Sequence, residues 1–223
     1  MTARRTPSVA LIVGRLEQAY GKRPWRTWGK PLDLLIGTIL SQNTNDRNSG
    51  LAMERFEKAF PDFGDAADAP LWKIAGAIRP AGLHRQKARS IRDVLRRLRA
   101  ERGRASLDFL GRWPTDRIRE YLLALPGVGP KTAACVLLFS RLKRPVLPVD
   151  THVHRVSRRL GLIGPKATAE RAHDLLAAVV PPGKVYAFHV LLIRHGREVC
   201  HARRPQHGRC VLSDVCPSAR GDL

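Results

Sequence analysis

Apolar residues recur at helical spacing along most of this chain, and nowhere do they alternate with polar residues over the length of a strand. Val9, Ile12, Val13, Leu16 and Tyr20 predict an amphipathic helix over residues 7–20. Residues 21–31, with two tryptophans, two prolines and two glycines, read as a loop linking two lobes. The run LDLLIGTILSQNTND, starting at Leu32, predicts an apolar helix that ends in a polar cluster, and a new helix runs from Asp46 to Phe60. A short helix is expected near residues 71–78, a long basic one beyond Leu83, and others over 150–160, 167–180 and 184–199. The chain is therefore expected to be all-α.

The stretch TDRIREYLLALPGVGPKTAACVLLFSRLKRPVLPVDTHVH, residues 115–154, carries the densest signal. Thr115 suits an N-cap, and Ile118, Tyr121, Leu122 and Leu125 form an apolar stripe that runs into Pro126. Gly127 and Gly129 allow positive φ and a close approach of backbone N–H groups to a ligand, while Pro130 suits the first position of the next helix. Such a turn is an anion-binding nest at a helix N-terminus.

Charge narrows the partner. Forty Lys and Arg against 19 Asp and Glu give a net charge of +21, which points to a polyanion such as nucleic acid. A basic ribosomal or chromatin protein would share that excess. A hydrophobic content of 43% suffices for a core, and no apolar run is long enough to span a membrane. The stretch MTARRTPSVALIVG lacks a signal-peptide core, so a cytoplasmic monomer is expected. Without an export signal, four cysteines read as metal ligands or buried thiols. Cys135 falls among Ala133, Val136 and Leu137 as a core thiol. Cys200-x6-His207-x2-Cys210-x5-Cys216 forms a compact ligand set, and three cysteines with a histidine also make an ordinary zinc set.

The string from Leu125 to Ala133, followed by Val149-Asp150-Thr151-His152, resembles the helix-hairpin-helix and catalytic segment of the endonuclease III family of DNA glycosylases. The resemblance covers nearly the whole chain. It implies a two-lobed, all-helical glycosylase fold with a C-terminal metal-cluster loop. One lobe would be 28–142, the other 1–27 with 143–223, and the DNA cleft would lie between them. By resemblance, the amides of Gly127, Val128 and Gly129 would hold a phosphate, Lys131 would be the nucleophile, and Asp150 would assist at the sugar. In the segment LSQNTND, Ser41 and Asp46 would line the lesion pocket. Asn43 stands where many relatives carry a gap-filling glutamine, and the adjacent Gln42 offers an alternative. Leu83, in PAGLHRQKA, matches the leucine that wedges into the opposite strand. Cysteine is common at all four loop positions, where it binds a [4Fe–4S] cluster; His207 is the departure, and zinc is the alternative metal.

Chemistry supports the pairing. A lysine attacking C1′ must be neutral, and the positive end of a helix at Lys131 disfavours an ammonium. Asp150 can stabilise positive charge on the sugar. Taken singly, Asp150 reads as an N-cap, Lys131 as a solvated lysine, residues 41–44 as a helix-end turn, and Leu83 as a leucine under its own loop. The basic residues after Leu83, including Arg85, Lys87, Arg89 and Arg92, read largely as a solvated face. The leading expectation is a bifunctional glycosylase and AP lyase on oxidised pyrimidines in duplex DNA. The alternatives are a monofunctional glycosylase on mismatched or alkylated bases and a non-enzymatic DNA-binding module.

Overall fold

The computed structural model describes residues 6–221; Met1–Arg5, the start of the basic N-terminal stretch, and residues 222–223 lie outside it. The described residues contain ten α-helices and no strand. These are α1 (Val9–Tyr20), α2 (Pro31–Ser41), α3 (Asp46–Ala59), α4 (Leu71–Ala77), α5 (His84–Arg102), α6 (Thr115–Leu123), α7 (Pro130–Phe139), α8 (Thr151–Arg159), α9 (Ala169–Val179) and α10 (Val185–Glu198). Short 3-10 turns join several of them. The chain forms two compact units, one spanning Thr27–Arg144 and the other running up to Arg26 and from Pro145 onward.

In the Thr27–Arg144 unit, α2 and α7 form the central pair, and both are apolar nearly all round because other helices cover them. Every residue of α7 from Thr132 to Phe139 is buried. Around this pair, α3 and α5 pack on α2, α6 packs on α7, and α4 packs on α3 and α5. Trp28 stacks on Phe139 at 4.3 Å, and its amide donates to the Phe139 carbonyl at 2.7 Å, which anchors the entering loop to the end of α7. In the other unit, α10 packs against α1 and α8, and α9 leans on α8.

Local signals set the helix ends. Ser8 and Asn45 cap α1 and α3 by accepting from Leu11 N and Asn48 N. Two expectations are corrected. Pro114, extended at φ −60° and ψ 150°, takes the position flanking α6, so Thr115 is its first residue rather than its cap. Gly127 alone has a positive φ, +74°; Gly129 lies at φ −98° in extended backbone, because it is the residue from which α7 starts. Among the described residues, no single helix is long and apolar enough to cross a membrane.

Candidate nucleic-acid interface and cysteine loop

The hairpin between α6 and α7 is fixed by one tight turn. Leu125 and Val128 are buried and close it through a hydrogen bond from Val128 N to Leu125 O at 3.2 Å. Gly127 is required twice over: its φ is left-handed, and a Cβ there would stand 2.8 Å from Ser90 Oγ and 3.0 Å from Ser90 Cβ. Gly127, Gly129 and Pro130 stay exposed at the tip, and Lys131 sits half-buried in the first turn of α7. The turn thus presents backbone at the positive end of an apolar helix, which is the geometry of an anion site.

The end of α2 lies against this hairpin. Gln42 donates from Nε2 to Gly127 O at 3.2 Å and to Thr132 Oγ1 at 3.3 Å. Ser41, half-buried, donates to Thr38 O at 2.8 Å, and Asp46 is exposed at the start of α3. Asn43, next to Gln42, is exposed and adopts φ +51°. Leu83, before α5, is 55% exposed and adopts φ +46°. A left-handed non-glycine residue costs of order 1 kcal/mol or more and persists only where its surroundings impose it.

Lys87 supplies part of that imposition. It is only 3% exposed, which removes it from the solvated basic face expected for this helix. Its ammonium donates to Leu40 O at 2.8 Å, Gln42 O at 2.6 Å and Ala81 O at 2.8 Å. Burial pushes the Lys87 pKa down, while three carbonyls, one of them in the last turn of α2, oppose that by favouring the charged form. Leaving three such carbonyls unpaired would cost about 1–3 kcal/mol each. The signal for this role was its register: Lys87 falls on the same stripe as Ile91, Val94 and Leu98, the buried face of α5.

In the other unit, Asp150 caps α8, accepting from Val153 N on Oδ1 at 2.7 Å. Two arginines tie α8 to the cysteine loop. Arg155 donates to Cys200 O at 3.1 and 3.0 Å and to Gly196 O at 2.9 Å; Arg159 donates to Cys200 Sγ at 3.1 Å, His201 O at 2.7 Å and Ala202 O at 3.0 Å. Gly196 permits this approach, since a Cβ there would meet His152 Nδ1 at 2.9 Å.

Cys216 Sγ donates to Arg159 O at 3.2 Å, so Cys200 and Cys216 both face Arg159. Cys210 Sγ lies 3.5 Å from Nε2 of the buried His195, whose Nδ1 is 3.0 Å from Tyr20 Oη. Burial pushes His195 down to about 4, which favours the neutral ring. Burial pushes the Cys210 thiol up, and the neighbouring Cys200 and Cys216 push it further. His207 is exposed in the turn His207–Arg209. Among the described residues, no three His, Cys, Asp or Glu side chains are grouped to hold one metal ion. His195, Arg155 and Arg159 had not been expected here, although His195 shares the buried face of α10 with Phe188, Leu191 and Leu192.

Residues 36–182 match the model of the HhH-GPD superfamily base excision DNA repair proteins. The chain belongs to this superfamily. Residues 200–216 match the iron-sulfur binding domain of endonuclease III, which identifies the loop as a [4Fe–4S] segment. Endonuclease III of Thermotoga maritima is 34% identical over 186 residues, covering 83% of this chain and 82% of that protein. Endonuclease III of Escherichia coli is 32% identical over 189 residues, covering 85% and 84%. Two Arabidopsis thaliana relatives, 36% and 33% identical, are longer, and the chain spans 64% and 48% of them. A solved trapped endonuclease III–DNA covalent intermediate superposes with a TM-score of 0.79 at 28% identity, covering 94% of each chain. A thermostable thymine-DNA glycosylase gives 0.72 at 25% identity, covering 95% and 96%. The HhH-GPD fold is thus the fold of this chain, with the hairpin of α6 and α7 inside the matched segment.

Proposed function

We propose that this protein is a base-excision DNA glycosylase with AP lyase activity that acts in the cytoplasm on oxidised pyrimidines in duplex DNA. The observation that carries the reading is Lys131, placed in the first turn of α7 directly after the Gly127–Gly129 turn, in a chain whose solved relatives include a covalent DNA intermediate. The hairpin backbone at Gly127, Val128 and Gly129 holds a DNA phosphate. Lys131 attacks C1′ through Nζ, and the base leaves with the electrons of the glycosidic bond. Asp150 stabilises the positive charge that develops on the sugar and accepts a proton. Breaking the C1′–O4′ bond, with the Nζ proton passing to O4′, opens the sugar to a Schiff base that acidifies the 2′ proton; its removal expels the 3′ phosphate by β-elimination, and water then hydrolyses the imine to free Lys131. The liberated ends are a 3′ unsaturated aldehyde and a 5′ phosphate.

Extrusion of the damaged base needs the stack to be filled. Asn43 is the gap-filling residue in this reading, supported by its exposure and left-handed backbone, whereas the Gln42 amide is engaged by the hairpin. Leu83 wedges the opposite strand, and Ser41 with Asp46 lines the lesion pocket. Residues 27–144 carry the hairpin and the wedges, and the second lobe carries Asp150. Cys200, Cys210 and Cys216 would hold the cluster with His207 as fourth ligand, and once bound it would supply a crosslink within the loop that Arg155 and Arg159 clamp to α8. Duplexes containing one defined lesion each, assayed for cleaved strand with and without alkali, test the function. Excision of an oxidised pyrimidine with alkali-independent cleavage is expected; excision that needs alkali in every case would point to a monofunctional enzyme.

A further inference from the structure

The three carbonyls bound by Lys87 belong to two different turns. Leu40 and Gln42 lead into Asn43, and Ala81 lies two residues before Leu83. Among the described residues only four non-glycine positions have positive φ, and two of them are Asn43 and Leu83. Both side chains that reach for the duplex thus stand on left-handed backbone, and one buried ammonium is bonded beside each. All three Nζ donors are consumed in doing so, and each partner is main chain, so the tie fixes backbone position and leaves both side chains free.

We propose that Lys87 is the positioning residue that holds the Asn43 and Leu83 turns at one fixed separation, so that the two wedges enter the duplex together. This rests on the glycosylase reading of Asn43 and Leu83. Lys87 touches neither base nor sugar; it acts through the turns. A single ammonium shared by both also makes them one unit, so that they open together or not at all.

The test compares wild type with Lys87→Gln, whose amide can satisfy fewer of the carbonyls. A duplex containing a tetrahydrofuran abasic analogue, with 2-aminopurine beside it, reports wedging. An intact duplex reports general binding. Single-stranded DNA with an aldehydic abasic site, trapped by borohydride, reports chemistry that needs no wedge. The expected variant loses tenfold or more of its preference for the analogue duplex together with the 2-aminopurine response. Its intact-duplex affinity and its single-strand trapping stay within about twofold of wild type. Loss of single-strand trapping in parallel, or an unchanged duplex preference, overturns the proposal. Wild type that traps on no DNA would instead sink the lyase reading, and the next measurement then decides the tie without DNA. Amide exchange in the wild-type protein also covers a variant that fails to fold. Segments 40–44 and 80–84 should exchange through a common opening, and opening rates that differ by more than tenfold overturn the tie.

Discussion

Replacing Gly127 with alanine tests the hairpin at its tightest point. At φ +74° a side chain enters the left-handed region, at a cost of roughly 1–2 kcal/mol. The new Cβ would also stand 2.8 Å from Ser90 Oγ and 3.0 Å from Ser90 Cβ on α5, and forcing atoms into such a contact costs about 1–3 kcal/mol. Reduced freedom of the unfolded chain returns about 0.4–1 kcal/mol. The net expectation is a loss of about 1–5 kcal/mol, or a thermal midpoint lower by roughly 2–18 °C. Gly129→Ala is the internal control: φ there is −98° and nothing lies within 4 Å of a Cβ, so it should cost nothing and gain up to about 1 kcal/mol. Adding Ser90→Gly to Gly127→Ala removes both contacted atoms. A double-mutant cycle by urea unfolding should therefore show at least about 1 kcal/mol of favourable coupling. Equal losses at Gly127 and Gly129, or no coupling to Ser90, would refute the reasoning.

Three further outcomes follow from the site. Asp150→Asn keeps a capping side chain for Val153 N, so unfolding should shift by less than about 0.5 kcal/mol while the single-turnover rate falls about 10²-fold or more; a wild-type rate would leave Asp150 as a cap alone. Removing Asn43 and Leu83 side chains together should lower affinity for an abasic-analogue duplex about tenfold more than for intact duplex, and equal losses in a binding titration would make them general contacts. Cys210→Ala should lose iron and acid-labile sulfide and lower the thermal midpoint, whereas His207→Cys should retain both at least as well as wild type; stoichiometric zinc without sulfide would contradict the cluster.

How far the sequence could be read depended on whether a residue's role was local. Apolar spacing, cap residues and Pro130 act within a turn or two of themselves, so the helices emerged within a residue or two of their ends. The hairpin, Lys131, Asp150 and the cysteine spacing were visible because they fall in short, dense motifs. The Gly129 conformation was misread because two glycines look alike until the start of α7 makes one of them a flanking residue. Lys87 was assigned to a solvated face because the seven arginines of α5 mask its position on the buried stripe, and two of its three carbonyl partners lie 45 and 47 residues away. Arg155, Arg159 and His195 escaped for the same reason: their partners in the cysteine loop are fixed only when α8 and α10 pack together.

The central claim is that Lys131 forms a covalent bond to the deoxyribose. Borohydride trapping on a duplex with an aldehydic abasic site, followed by proteolysis and mass spectrometry, addresses it directly. The expected result is one protein–DNA adduct that maps to Lys131 in wild type and is absent from Lys131→Gln, which still binds the duplex because it keeps 39 of the 40 Lys and Arg residues. An adduct on another residue, or undiminished trapping by pure Lys131→Gln, would contradict the assignment.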